Sequence, residues 1–356
     1  PVFLSAVFTT LSFPAWTATV PLLVPRQHLG RASGLAELSG AASQIAGPLV
    51  ASALLGQIGL RGILLLDAVS YGFCVGALLW VRFPSPPATG KRAGRRSLRE
   101  DLAEAWNFIR ERPGLRGLLL FITSLCFTVS MVTLLINPLV LAFTDVHSLK
   151  WIASAAGTGG LLGGLLTSVW GGPRRRILGL VVISIPAALV LLLAALPPSV
   201  PLIAGAAAFF IFTFPLINAS SQVIWQVKVP PALQGRVAAL RRVLFQGTSL
   251  VTILLAGMLA DNVFEPWLAP DGALASTVGR VIGTGQGRGV AFMFLLLCGV
   301  HLASVAWVWM SPRVRNVETE LPDLLPGPAA APPPPAPATA EAPQPPVALA
   351  NAGGRS

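Results

Sequence analysis

The chain has 356 residues, of which 54% are hydrophobic and only 11% charged, with a mean hydropathy of +0.72. Soluble domains carry roughly 25% charged residues, so a water-soluble globular enzyme is excluded. Its 25 Lys and Arg against 14 Asp and Glu leave a formal charge of +11, which on so apolar a chain points to basic loops beside a bilayer rather than to a nucleic-acid surface. Cys74, Cys126 and Cys298 each lie in an apolar run without a second Cys or a His at ligand spacing. Neither a disulfide framework nor a metal site is indicated, and no cofactor is expected.

A helix needs about 20 apolar residues to cross a bilayer core, because an unpaired backbone group in lipid costs several kcal/mol. In chain order, nine segments reach that length, at about 2–24, 32–56, 62–82, 115–143, 150–170, 177–196, 200–227, 239–261 and 289–311. The fold class expected is all-α and membrane-spanning. Residues 83–114 start Pro-rich and basic, then place Ser97 and Glu100 at capping-box spacing, with Leu98, Leu102, Ala105 and Ile109 on one helical face. This predicts a cytoplasmic linker carrying an amphipathic helix. It lies either on the inner leaflet, with Trp106 at headgroup level, or against the protein's own cytoplasmic face. Residues 312–356 become rich in Pro and Ala without periodicity and are expected to form a disordered tail.

The basic residues alternate between loops. Arg26 and Arg31, the Arg82–Arg116 stretch, Arg174 to Arg176, Lys228 to Arg242, and Arg313 with Arg315 fall on one side, whereas the other holds Arg61, Lys150, Arg280 and Arg288. The positive-inside rule puts the first group, and the C-terminus, in the cytoplasm of a multi-pass protein of the cell membrane. Val24-Pro25 followed by Gly30-Arg31 is matched by Val229-Pro230 followed by Gly235-Arg236, at an offset of 205 residues with six predicted spans between. A six-span offset preserves orientation, as in parallel six-helix halves related by an axis along the membrane normal. Residues 1–82 then read as the last three helices of one half and 115–311 as the six of the other. On that reading three spans precede the chain's first residue.

Several runs carry a family likeness: Pro14-Ala15 through Pro21-Leu22-Leu23-Val24-Pro25, Gly47-Pro48, Leu66-Asp67-Ala68-Val69-Ser70, Trp170-Gly171-Gly172-Pro173 with its three arginines, and Ala260-Asp261 through Pro266. Over about residues 1–325 the chain resembles a major facilitator superfamily permease of the enterobactin-exporter-like and macrolide-efflux-like branch. The second segment, with Gly34, Ser43, Gly47-Pro48, Ala51 and Ser52, resembles the family's antiporter motif, although other small residues replace three of its glycines. The resemblance implies secondary active, proton-coupled efflux of a hydrophobic or amphiphilic small molecule by alternating access. An importer on the same scaffold and a truncated, non-transporting remnant are the alternatives. Small-molecule substrate, protons and lipid are the expected partners, and a monomer is the expected state.

Acidic side chains inside a bilayer default to functional suspects. Glu37 and Asp67, together with His301 in the last span, are the coupling candidates, and Asp261 is expected to be structural. In the resembling family the cavity is lined by helices that correspond here to the first, fourth and seventh segments. That implies Thr10, Phe13, Trp16 and Thr17, then Ser130, Thr133 and Asn137, then Asn218 and Gln222 as substrate contacts. Gly30-Arg31 and Gly235-Arg236 are expected to latch the inner gate, with Glu37 as the partner of Arg31. An intramembrane hydrolase built on Gly247-Thr248-Ser249 and His301 is rejected, because the short pattern leaves the six-span repeat unexplained.

Overall fold

The computed structural model describes residues 19–21, 23–80, 97–196 and 199–324, and for Pro48, Leu49, Ser52, Leu78 and Leu98 the backbone alone. Thr10, Phe13, Trp16 and Thr17, most of the first predicted span, the Pro-rich part of the linker and the chain beyond Leu324 lie outside the described residues. Among the described residues there is no strand, and seven helices are long and apolar enough to cross a membrane.

Helix α1 is assigned over Leu29–Trp80 but leaves helical geometry at Gly59 (φ +64°, ψ 179°). Two predicted segments meet there. Left-handed φ is free of cost only for glycine, so the break falls where the sequence supplies one. The assignment runs unbroken through Gly47-Pro48. Beyond the break Leu65, Val69, Phe73, Leu79 and Trp80 are exposed, and none of the apolar window in Ala53–Ala77 is buried.

Helix α2 (Leu98–Arg110) starts at the expected capping box: Ser97 Oγ accepts from the Glu100 amide at 3.3 Å, and Glu100 accepts from the Ser97 amide at 3.1 Å. Its apolar face is covered by protein. Ala105 and Ile109 are fully buried beside Leu115, Leu118 and Val237, and Trp106 faces outward. Then follow α3 (Pro113–Leu141), α4 (Val146–Trp170), α5 (Arg176–Leu189, continued by 3-10 turns over Val190–Ala195), α6 (Val200–Lys228), α7 (Pro231–Leu259) and α8 (Arg288–Met310). Two apolar clusters hold α3, α5, α6, α7 and α8 together. One is built around Phe121, Ile177, Ile224 and Val308, the other around Leu135, Ile203, Phe210 and Phe294.

Helix α4 is rich in glycine for a geometric reason. A Cβ on Gly159 would lie 2.0 Å from the Ala208 carbonyl oxygen of α6, and one on Gly163 2.2 Å from that of Phe212. On another face, a Cβ on Gly164 would lie 2.8 Å from Leu38 Cα of α1, and one on Gly34 2.5 Å from the Ser168 amide. Backbones in contact on both faces of α4 set the spacing of α1, α4 and α6, as small residues do between membrane helices.

The two repeat-related loops share a local backbone. Pro25 (φ −57°, ψ 145°) and Pro230 (φ −57°, ψ 142°) each precede a turn in which the amide three residues on donates to the proline carbonyl, at 2.8 and 2.9 Å. Their Gly-Arg pairs then diverge. Gly30 is pressed on the Gly171 carbonyl, while among the described residues nothing lies within 4 Å of where a Cβ on Gly235 would stand. Arg31 lies across Gly171, whereas Arg236 is bound by two acids of α2, Asp101 at 2.9 Å and Glu104 at 2.6 Å.

Residues 312–324, grouped with the tail in the sequence reading, are structured. Short helices Pro312–Arg315 and Val317–Glu320 lead into a strap beneath the bundle. Glu318 accepts from the first amides of α5, Arg176 at 3.1 Å and Ile177 at 3.0 Å. Lys228, at the end of α6, donates to the carbonyls of Glu318 and Leu321 and pairs with Asp323 at 2.9 Å; Asp323 also pairs with Arg26. Burial pushes the Asp323 carboxyl up, but Lys228 and Arg26 outweigh it and hold the group below its ordinary 3.8. The strap's stabilisation is therefore present above that value and lost as pH falls through the lowered one. Asp323→Ala is expected to speed hydrogen exchange of the Leu324 amide, which bonds the Val227 carbonyl at 3.0 Å, at neutral pH. The native strap should reach that state only in acid; identical exchange in the two proteins at neutral pH would contradict the assignment.

Candidate functional site

A cavity of about 380 Å³ lies between α1 and α6, with Gly160 of α4 in its wall. Its polar lining is Ser33, Glu37 and Gln44 from α1 and Asn218 and Gln222 from α6; Phe214, Pro215 and Ile211 supply apolar surface. Asn218 and Gln222 are four residues apart on α6 and so share a helical face. Pro215 has no amide proton, so the Ile211 carbonyl lacks its usual donor in the middle of the helix. Across the cavity the Asn218 amide donates to the Glu37 carboxylate, a bond 181 residues apart in sequence that ties α1 to α6. The expected pairing of Glu37 with Arg31 is not what forms. No ion pair joins these two among the described residues, and Asn218 takes the carboxylate instead.

On the other side of Gln222 sits a residue that the sequence reading assigned to a loop. Arg241, on the third turn of α7, is 3% exposed and donates to Gln222 Oε1 at 3.2 Å. Its guanidinium lies over Trp225 at 4.7 Å and Phe245 at 5.8 Å, a cation–π setting that partly replaces hydration. No acid pairs with it among the described residues. An acid, two amides and a buried cation therefore run in series from α1 through α6 to α7. Hydropathy gives no sign of the cation, because Arg241 falls at the very start of the predicted eighth segment and counts there with the basic residues of the adjoining loop.

We expect Arg241→Met to leave thermal stability within about 1 kcal/mol of native: loss of the donor to Gln222 is offset by relief of a buried charge without an acidic partner. If the chain works as the resemblance implies, transport should nevertheless fall several-fold. Melting and uptake measured on the same preparation check this, and unaltered transport would remove Arg241 from the site.

A second cavity, of about 420 Å³, lies alongside and shares Ile211. Thr133 and Asn137 of α3, Lys150 of α4, and Phe210 and Phe294 line it, and most of its wall is apolar. The nine substrate candidates are thus distributed. Asn218 and Gln222 line the polar cavity, Thr133 and Asn137 the apolar one, Ser130 lines neither, and the four N-terminal ones lie outside the described residues. Among the coupling candidates only Glu37 lines a cavity described here. Asp67 is exposed, its carbonyl accepting from Ser70 at 2.8 Å, and His301 is fully buried with its ring facing Phe121 at 6.2 Å.

The Major Facilitator Superfamily model matches residues 2–253. Macrolide efflux protein A of Streptococcus pyogenes is 26% identical over 286 residues, covering 76% of this chain and 68% of that protein. The protein of the same name from Enterococcus faecalis is 27% identical over 251 residues, covering 67% of this chain and 75% of its own length. No solved structure matches. With the family match spanning well over half of a sequence built of apolar helices, the chain is a multi-pass membrane protein that belongs to the major facilitator superfamily.

Proposed function

We propose that this protein exports a hydrophobic or amphiphilic small molecule in exchange for protons, by alternating access between two helical halves of which residues 1–82 and 115–311 are parts. The observation that carries the reading is the Glu37 carboxylate, bound by Asn218 in a cavity between α1 and α6. The two similar macrolide efflux proteins support export. A cavity lined, among the described residues, by one acid and neutral amides, with an adjoining and mostly apolar compartment, suits a solute that is largely apolar with a few hydrogen-bonding groups.

In this scheme the deprotonated carboxylate keeps α1 and α6 together through a charge-assisted hydrogen bond. Protonation at the outer side removes the charge, weakens the bond to Asn218 and releases solute. Return of the loaded acid to the inner side frees the proton to the cytoplasm and restores the carboxylate. The cell membrane is the proposed location, with the C-terminus on the cytoplasmic side, a placement that the distribution of loop charges supports.

Accumulation of a macrolide and of a fluorescent amphiphile in energised cells, with and without a protonophore, tests this. Lower accumulation than in control cells, abolished by the protonophore, is expected. Accumulation that ignores the protonophore would contradict proton coupling, and higher accumulation would contradict export.

A further inference from the structure

We propose that the groove between the start of α5 and the end of α8 binds the phosphate headgroup of an anionic phospholipid. The groove, of about 580 Å³, is lined by Arg174 and Arg175 just before α5, Trp309 at the end of α8, and Arg315, Asn316 and Thr319 of the short helices that follow. Three guanidinium groups thus meet at one opening, each able to present a planar fork to phosphate oxygens. Glu318 also lines the groove, but both its oxygens are engaged by the Arg176 and Ile177 amides. Arg174, Arg175 and Arg315 have no ion pair among the described residues. The first two amides of α5 are taken by the same acid, so recognition rests on side chains and not on a helix terminus.

The surroundings favour a lipid over free phosphate. Arg315 lies 5.8 Å from the ring of Trp309, which is half-exposed where the apolar span Arg288–Met310 ends. Aromatic rings at that depth belong at headgroup level. Leu178 lines the groove, and from it Val182, Ile185 and Leu189 continue along α5, 60, 40 and 45% exposed. This ridge follows the i, i+4, i+7 pattern of a single helical stripe. An acyl chain laid along it would leave the phosphate among the arginines. Basic pockets between membrane helices hold anionic headgroups by the same combination.

The test is lipid retention by the purified full chain in detergent, read by native mass spectrometry after titration with phosphatidylglycerol or phosphatidylcholine, with inorganic phosphate as competitor. Phosphatidylglycerol should be retained at least about tenfold better than phosphatidylcholine, and Arg174→Gln/Arg175→Gln/Arg315→Gln should erase the preference. The corresponding triple Lys variant should keep most of it, which controls for misfolding, and Trp309→Leu should weaken retention with the arginines intact. Equal retention of the two lipids, or an unaffected triple Gln variant, would overturn the proposal. Displacement of the lipid by millimolar inorganic phosphate would also overturn it, by showing a site for free anions. None of these readouts depends on the direction or coupling of transport.

Discussion

Glu37→Gln is expected to abolish uphill efflux while leaving downhill equilibration of the same solute intact. The amide is isosteric with the carboxyl and can still meet Asn218 across the cavity, so the α1–α6 contact and the fold persist. What disappears is the titration. Among the described residues Glu37 is the one carboxylate lining this cavity, and in the proposed scheme its loss leaves solute movement without a link to the proton gradient. Loss of a charge-assisted hydrogen bond, worth roughly 1.5 to 3 kcal/mol, corresponds to at least about tenfold in the bias between the two states it distinguishes. Counterflow in proteoliposomes should therefore proceed in the variant, whereas pH-driven accumulation should fall to the level of empty vesicles. Accumulation equal to native would show that coupling lies elsewhere.

The second large effect comes from the α1–α4 seam. Gly164→Leu places a side chain where even a Cβ stands 2.8 Å from Leu38 Cα and 2.9 Å from its amide. Backbone cannot yield as a flexible side chain does, so α1 must move away from α4. Overpacking of this kind costs about 1 to 3 kcal/mol. Because Leu38 follows Glu37, the displacement also carries the carboxylate away from Asn218. Both the melting temperature and transport should drop. Gly299→Leu, at a position where a Cβ meets nothing within 4 Å among the described residues, serves as the control and should change neither. Native-like behaviour of the Gly164 variant would mean that α1 and α4 are not in contact in the working protein.

How much of this can be read along the chain differs from element to element. Hydropathy finds α3, α5, α6 and α8 to within a few residues, because their ends coincide with the ends of apolar runs. It begins α4 about four residues late, since the first turn holds the polar His147 and Ser148; the true start is marked by Asp145, whose side chain accepts from the Ser148 amide at 3.0 Å. It begins α7 about eight residues late, for a reason that bears on the site. Gln234, Arg236, Arg241 and Arg242 depress the window although the helix has already begun at Pro231. Arg241 consequently reads as a loop charge and not as a buried cation. The capping box at Ser97 was legible because it is local. The partner of Glu37 was not, because Asn218 is brought to it by a helix seam whose register depends on where glycines on α4 permit contact. Nothing in the residues around Glu37 marks Asn218 over Arg31.

The most direct measurement is proton release on solute binding, followed with a pH indicator in weakly buffered detergent solution. Near neutral pH, binding of an amphiphilic dye to the native protein should release a proton, and Glu37→Gln, which mimics the neutral acid, should bind the same dye more weakly and with no proton change. Proton release of equal size from both proteins, or from neither, would contradict the assignment of Glu37 as the group where solute and proton compete.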